Sequence, residues 1–73
     1  MPTVSLPAGI SGTIAMRRVE DGARVEAGDT VIEVESMKTF WSVAAPCAGI
    51  VRHKAELGEV VGQDQIIAII ERD

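Results

Sequence analysis

Apolar and polar residues alternate along Val31-Ile32-Glu33-Val34-Glu35-Ser36 and again along Phe40-Trp41-Ser42-Val43-Ala44. A period of two predicts two half-buried strands. In the first, Ile32 and Val34 point to the core, and Glu33 and Glu35 point to water. In the second, Ser42 faces water, so Trp41 and Val43 face inward and Phe40 faces outward. Met37-Lys38-Thr39 lies between them as a turn with neither Gly nor Pro. That is poor turn chemistry, and a turn that ignores local preference points to a functional demand. No helical apolar period extends far enough to compete.

The chain repeats itself. Shifted by 36 residues, Ile14–Glu35 aligns without gaps on Ile50–Glu71, with five identities in 22 positions: Ile14/Ile50, Glu20/Glu56, Gly22/Gly58, Val25/Val61 and Glu35/Glu71. Three of the five fall on a turn glycine and on apolar strand positions. Each half reads as turn, short strand, turn, strand: Asp21-Gly22, Val25, Gly28-Asp29 and Val31–Glu35, then Leu57-Gly58, Val61, Asp64-Gln65 and Ile66–Glu71. Gly22 and Gly58 supply positive φ without steric cost. Asp64 replaces Gly28 as one of the few other residues that tolerate a left-handed backbone. The fold class is therefore all-β: a flattened barrel or sandwich of about eight short strands in two pseudo-twofold-related halves. The shift carries Lys38 to the chain ends, which places it at the pole opposite the termini.

Composition narrows the function. At 73 residues the chain reads as one domain, residues 1–73. A chain this short buries only about 60% of its unfolded surface, too little for a catalytic cleft with a second layer. Phe40 and Trp41 are its only aromatics, so Val, Ile, Leu and Ala must build the core. A net charge of −4 argues against nucleic acid and against anionic membrane surfaces as partners. The longest apolar run, Ile66–Ile70, is too short to span a membrane. A single Cys and no signal-peptide pattern in Met1–Leu6 lead to the expectation of a cytoplasmic protein.

The chain has two lysines. Lys54 is the repeat mate of Arg18 and reads as a solvated strand-end cation, whereas nothing in the pattern explains Lys38. Its surroundings do. Glu35-Ser36-Met37-Lys38-Thr39 resembles the attachment motif of the biotinyl/lipoyl carrier domain family, and the chain looks most like a thumbless biotin carboxyl carrier protein. In biotin carriers a small residue and Met precede the modified lysine and a second Met usually follows. Ser36 and Met37 match, and Thr39 stands where the second Met is expected. Lipoyl carriers tend to have Asp before the lysine, so Met37 favours biotin over lipoate. Gly22-x-x-Val25-x-x-Gly28-Asp29, Pro46-x-x-Gly49-Ile50-Val51 and Gly58-x-x-Val61 also look like family landmarks, and the resemblance covers nearly the whole chain.

The resemblance implies a barrel-sandwich hybrid fold and a swinging arm. Biotin would be joined to Lys38 by a biotin protein ligase, with Glu35, Ser36, Met37 and Thr39 as its recognition motif; independently, the outward Phe40, two residues from Lys38, reads as a contact for a partner. The arm would serve a biotin carboxylase and a carboxyltransferase, on a monomeric, non-catalytic carrier, and the lack of an Ala/Pro-rich linker at the domain edges leads to the expectation of a free-standing one. Two rivals remain: a lipoyl carrier with lipoate on Lys38, and an unmodified β-hairpin module that only binds proteins. His53 and Cys47 are too few for a zinc site, so neither a metal nor a catalytic residue is expected. Cys47 reads as a small packing residue beside Pro46, and His53 as solvated.

Overall fold

The computed structural model describes residues 2–72. Eight strands follow one another: β1 Thr3–Pro7, β2 Gly12–Arg17, β3 Arg24–Val25, β4 Thr30–Ser36, β5 Thr39–Ala44, β6 Gly49–His53, β7 Val60–Val61 and β8 Ile66–Arg72. They form two antiparallel four-stranded sheets, ordered β1-β8-β6-β3 and β5-β4-β2-β7. The expected all-β barrel-sandwich is observed. β-Branched residues fill the space between the sheets, with Ile14, Val25, Ile32, Val34, Val51 and Ile70 fully buried. Branching at Cβ suits a pleated, packed surface.

The two sheets are one pattern used twice. Advancing every strand of the first sheet by four places, counted cyclically, gives the second sheet in order. Each half lends strands to the other: β3 pairs with β6, and β7 with β2. The pseudo-twofold exchanges the β4–β5 turn with the place where β1 begins and β8 ends. At that second place the Arg72 N–H donates to the Pro2 carbonyl at 3.1 Å. The lysine turn and the Pro2–Arg72 junction thus occupy separate, symmetry-equivalent ends of a body measuring 35 × 18 × 17 Å.

The structure corrects the ungapped repeat. Ile14 pairs with Val34 and Met16 with Glu33, with a bulge between them, whereas Val51 pairs with Ile70 and Arg52 with Ile69. Ala15 is therefore an extra residue, and the counterpart of Ile14 is Val51, not Ile50. Backbone bonds agree. Ile14 N–H donates to Glu59 and its carbonyl accepts from Gly58, while Val51 N–H donates to Ala23 and its carbonyl accepts from Gly22. In this register Gly12 falls on Gly49. A Cβ on either would collide with a carbonyl oxygen of the neighbouring strand, that of Glu35 or of Glu71. A second correction concerns Asp64. Gly22, Gly28 and Gly58 have φ of 87°, 93° and 83°, but Asp64 is not left-handed. Its turn closes through the Gln65 N–H to the Gly62 carbonyl at 3.1 Å, with the Gln65 side chain accepting the Gly62 N–H at 3.2 Å.

Candidate functional site: the β4–β5 hairpin tip

β4 and β5 pair continuously at their tip, as Val34↔Trp41, Glu35↔Phe40 and Ser36↔Thr39. The loop is thus two residues, Met37 and Lys38, and Thr39 is the first residue of β5 instead of part of the turn. Both loop residues are left-handed, with φ of 53° and 63°, and they are the only such non-glycines among the described residues. Positive φ at both positions marks a type I′ turn, whose twist matches that of the flanking strands. The cause lies in the strands. Burial of Ile32 and Val34 on one face fixes the register of β4, and a one-residue slip would turn that face to water. The register leaves two residues for the connection, and two residues must adopt the primed turn whatever their identity. The left-handed region costs an L-residue about 1–2 kcal/mol.

The motif residues gather at this tip. Met37 is 94% exposed. Lys38 is exposed and makes no hydrogen bond or ion pair among the described residues. Glu35 and Thr39 are exposed, and Ser36 is half-buried. Phe40, 61% exposed, shares the outer sheet face with Glu35 as expected. Glu33, farther along that face, is held by Arg18, whose Nε donates to its carboxylate at 2.7 Å.

Trp41 departs from expectation. Its pairing with the buried Val34 puts it on the inward face, but it is 48% exposed. β5 is an edge strand, so the core flanks this ring on one side only. Met37, Phe40 and Trp41 together leave three large apolar side chains exposed around the lysine. The alternation pattern finds Phe40 but misses Trp41, because it reports a face and not what lies across from it.

His53 also departs from expectation. Its Nε2 lies 2.7 Å from the Val19 carbonyl, so Nε2 donates, and its buried Nδ1 has no partner among the described residues. Its backbone N–H donates to Asp21 at 2.8 Å, and this bond, helped by Arg52 at 3.7 Å, lowers the carboxyl pKa of Asp21. These bonds join β6 to the turn before β3 and lie outside the lysine motif. Cys47 packs against the core, as expected for a small apolar residue.

Comparison with known proteins agrees with this geometry. The chain is 36% identical over 73 residues to the mitochondrial methylcrotonoyl-CoA carboxylase subunit alpha of Oryza sativa subsp. japonica, covering 99% of this chain and 10% of that protein. It is 50% identical over 34 residues to the glycine cleavage system H protein of Bifidobacterium longum, covering 47% of this chain and 25% of that one. Its fold superposes on the urea carboxylase of Kluyveromyces lactis with a TM-score of 0.90 at 30% identity, covering 97% of this chain and 6% of the other. A single-chain, multi-domain long-chain acyl-CoA carboxylase gives 0.88 at 28% identity, covering 97% and 7%. The chain thus spans about a tenth or less of the carboxylases it resembles. The family model described as "Biotin-requiring enzyme" matches residues 2–70, and the chain belongs to this biotin/lipoyl attachment family.

Proposed function

We propose that Lys38 carries biotin through an amide bond and that the chain is a biotin carboxyl carrier, presenting its cargo first to a biotin carboxylase and then to a carboxyltransferase. The observation that carries this reading is the placement of Lys38: an exposed primary amine, without a partner among the described residues, at the tip of a two-residue hairpin. Such an amine fits covalent loading, because a ligase can surround it and no bond of the fold must break. When bound, biotin supplies the ring that takes up a carboxyl group at one active site and gives it up at another.

The chain's residues position and present. The paired strands fix where the lysine stem begins, and the stem leaves its end mobile. The biotin protein ligase supplies the activated acyl group and takes up the proton released as the amide forms. Glu35, Ser36, Met37 and Thr39 form the surface the ligase reads, with Met37 as an adaptable apolar contact. Phe40 is a contact for a partner enzyme. Tethering raises the local concentration of cargo at both active sites without tight docking.

Lipoate on Lys38 is the second reading. It is favoured by the 34-residue likeness to the glycine cleavage protein and by the two cargoes in the family's name. Met37 before the lysine favours biotin. Intact mass of protein from its native host tests the cargo, and a biotin-sized increment mapped to Lys38 is expected. A lipoyl-sized increment overturns the biotin reading. Co-expression with a competent biotin ligase followed by avidin capture separates a carrier from an unmodified binding module. Wild type is captured and Lys38→Ala is not, and failure to capture wild type refutes the proposal.

A further inference from the structure

A sheet edge is a row of unpaired backbone donors and acceptors, and folded proteins blunt such edges to avoid adding a stray strand. Four strands stand at edges here: β1, β3, β5 and β7. β3 and β7 have two residues each, too few to template a neighbour. β1 ends in Pro7 and is preceded by Pro2. β5 is six residues long, Thr39-Phe40-Trp41-Ser42-Val43-Ala44, with no proline, glycine or charge. The pseudo-symmetry makes the contrast an internal control. Leu6 pairs with Ala68 as Val43 pairs with Ile32, and Ser5 with Ile69 as Ser42 with Glu33. In this register Pro2 and Pro7 of one edge stand where the other has Thr39 and Ala44.

The turn decides which backbone groups face outward. The residues flanking a two-residue loop, here Ser36 and Thr39, bond to each other, and antiparallel ladders alternate bonded and non-bonded pairs. The N–H and C=O of Phe40 and Ser42 therefore point away from β4. They lie symmetrically about Trp41.

We infer that β5 pairs antiparallel with β5 of a second copy of this chain, about a twofold axis through Trp41. Phe40 of each copy exchanges both backbone bonds with Ser42 of the other. Trp41 meets its counterpart in a non-hydrogen-bonded pair, where Cα atoms approach to about 4.5 Å and aromatic pairs stabilise a sheet most. This covers the ring face that the fold leaves half exposed. β5 brings no charge to the junction. Glu33 and Glu35 of the two copies stay about three strand spacings apart, roughly 14 Å, beyond the screening length of about 8 Å at physiological salt. The two Lys38 turns fall at opposite ends of the paired strands and stay open. A strand pair is small beside the roughly 1,200–2,000 Å² of a stable interface, so the dimer forms only at high concentration. It departs from the monomeric carrier that the family resemblance implies.

Sedimentation equilibrium of the whole chain from about 10 µM to about 1 mM tests this. The weight-average mass of wild type is expected to rise toward twice the monomer mass. Ser42→Pro removes an outward N–H and is expected to hold the chain monomeric. Ser5→Pro makes the same change on the blunted edge and leaves the dimer intact. Trp41→Thr weakens association at least ten-fold, and Ser42→Lys serves in place of Ser42→Pro if the proline variant fails to fold. Thermal melts verify folding of every variant. A monomer mass for wild type throughout, or equal association of wild type and folded β5 variants, overturns the inference.

Discussion

Met37→Asn separates two roles that the turn combines. Met37 sits at φ 53°, where an L-residue loses about 1–2 kcal/mol, and Asn tolerates this conformation through short local hydrogen bonds. Its side chain is 94% exposed, so truncating it removes almost no packing. The net effect is a stabilisation of about 1 kcal/mol, which for a chain of this size raises Tm by about 4–8 °C. Circular dichroism melts of the unmodified protein measure it, with Thr39→Asn as the control in ordinary strand conformation. The same variant loses the apolar contact beside Lys38. Its kcat/KM as a substrate for a biotin ligase is expected to fall about ten-fold, equivalent to about 1.4 kcal/mol. Opposite signs are the signature: a more stable fold and a poorer substrate. An unchanged or lower Tm refutes the strain argument, and an unchanged kcat/KM refutes recognition through Met37.

Trp41→Ala is expected to cost about 1–2 kcal/mol in denaturant unfolding, below the about 3–5 kcal/mol of a core aromatic, because half the ring is already in water. Gly12→Ala drives a methyl group into the Glu35 carbonyl and should cost about 1–3 kcal/mol or abolish folding, as should Gly49→Ala against Glu71. Asp21 has its folded pKa lowered from the ordinary 3.8, first by the His53 N–H and then by Arg52. A lowered pKa stabilises the fold above the unfolded value, and that contribution disappears as pH falls through the folded value. Asp21→Asn should therefore flatten the fall in Tm below about pH 4, measured by melts across pH 2–7. Phe40→Ser is expected to leave Tm within a few degrees of wild type and to slow modification or carboxyl transfer, and unchanged rates would make Phe40 an ordinary surface residue.

Local alternation made the hairpin legible. Ile32, Val34, Glu35 and Phe40 all lie on the faces their period assigns. Alternation carries no information about the layer opposite, so Trp41 has the right face and the wrong burial. The repeat was legible through its turn glycines, but one inserted residue at Ala15 moved β2 against β6 and made Ile14/Ile50 an identity without structural meaning. Only the strand register reveals that, since a bulge has no sequence mark of its own here. His53 reads as solvated between Arg52 and Lys54, because its acceptor, the Val19 carbonyl, is a backbone group 34 positions away. At Met37-Lys38 the sequence shows residues unsuited to a turn. That the turn is two residues long and wholly left-handed follows from pairing, which the sequence states only after the register is known.

The strand β8 pairs with both β1 and β6, so the eighth strand is the spine of its sheet. Its partner β1 begins more than 60 positions earlier, and Thr3 must meet Glu71 before that sheet exists. Such long-range closure slows folding and makes it cooperative. A ribosome could expose the whole β4–β5 hairpin, lysine included, while Ile66–Arg72 is still unmade. Until β8 arrives, β5, β4, β2 and β7 can pair, but β1 and β6 lack the strand that joins them, and the sheet across from Ile32 and Val34 is incomplete. The rigid presentation of Lys38 therefore belongs to chains in which β8 has joined its sheet, and a chain lacking Ile66–Arg72 shows a modifying enzyme a different, looser object.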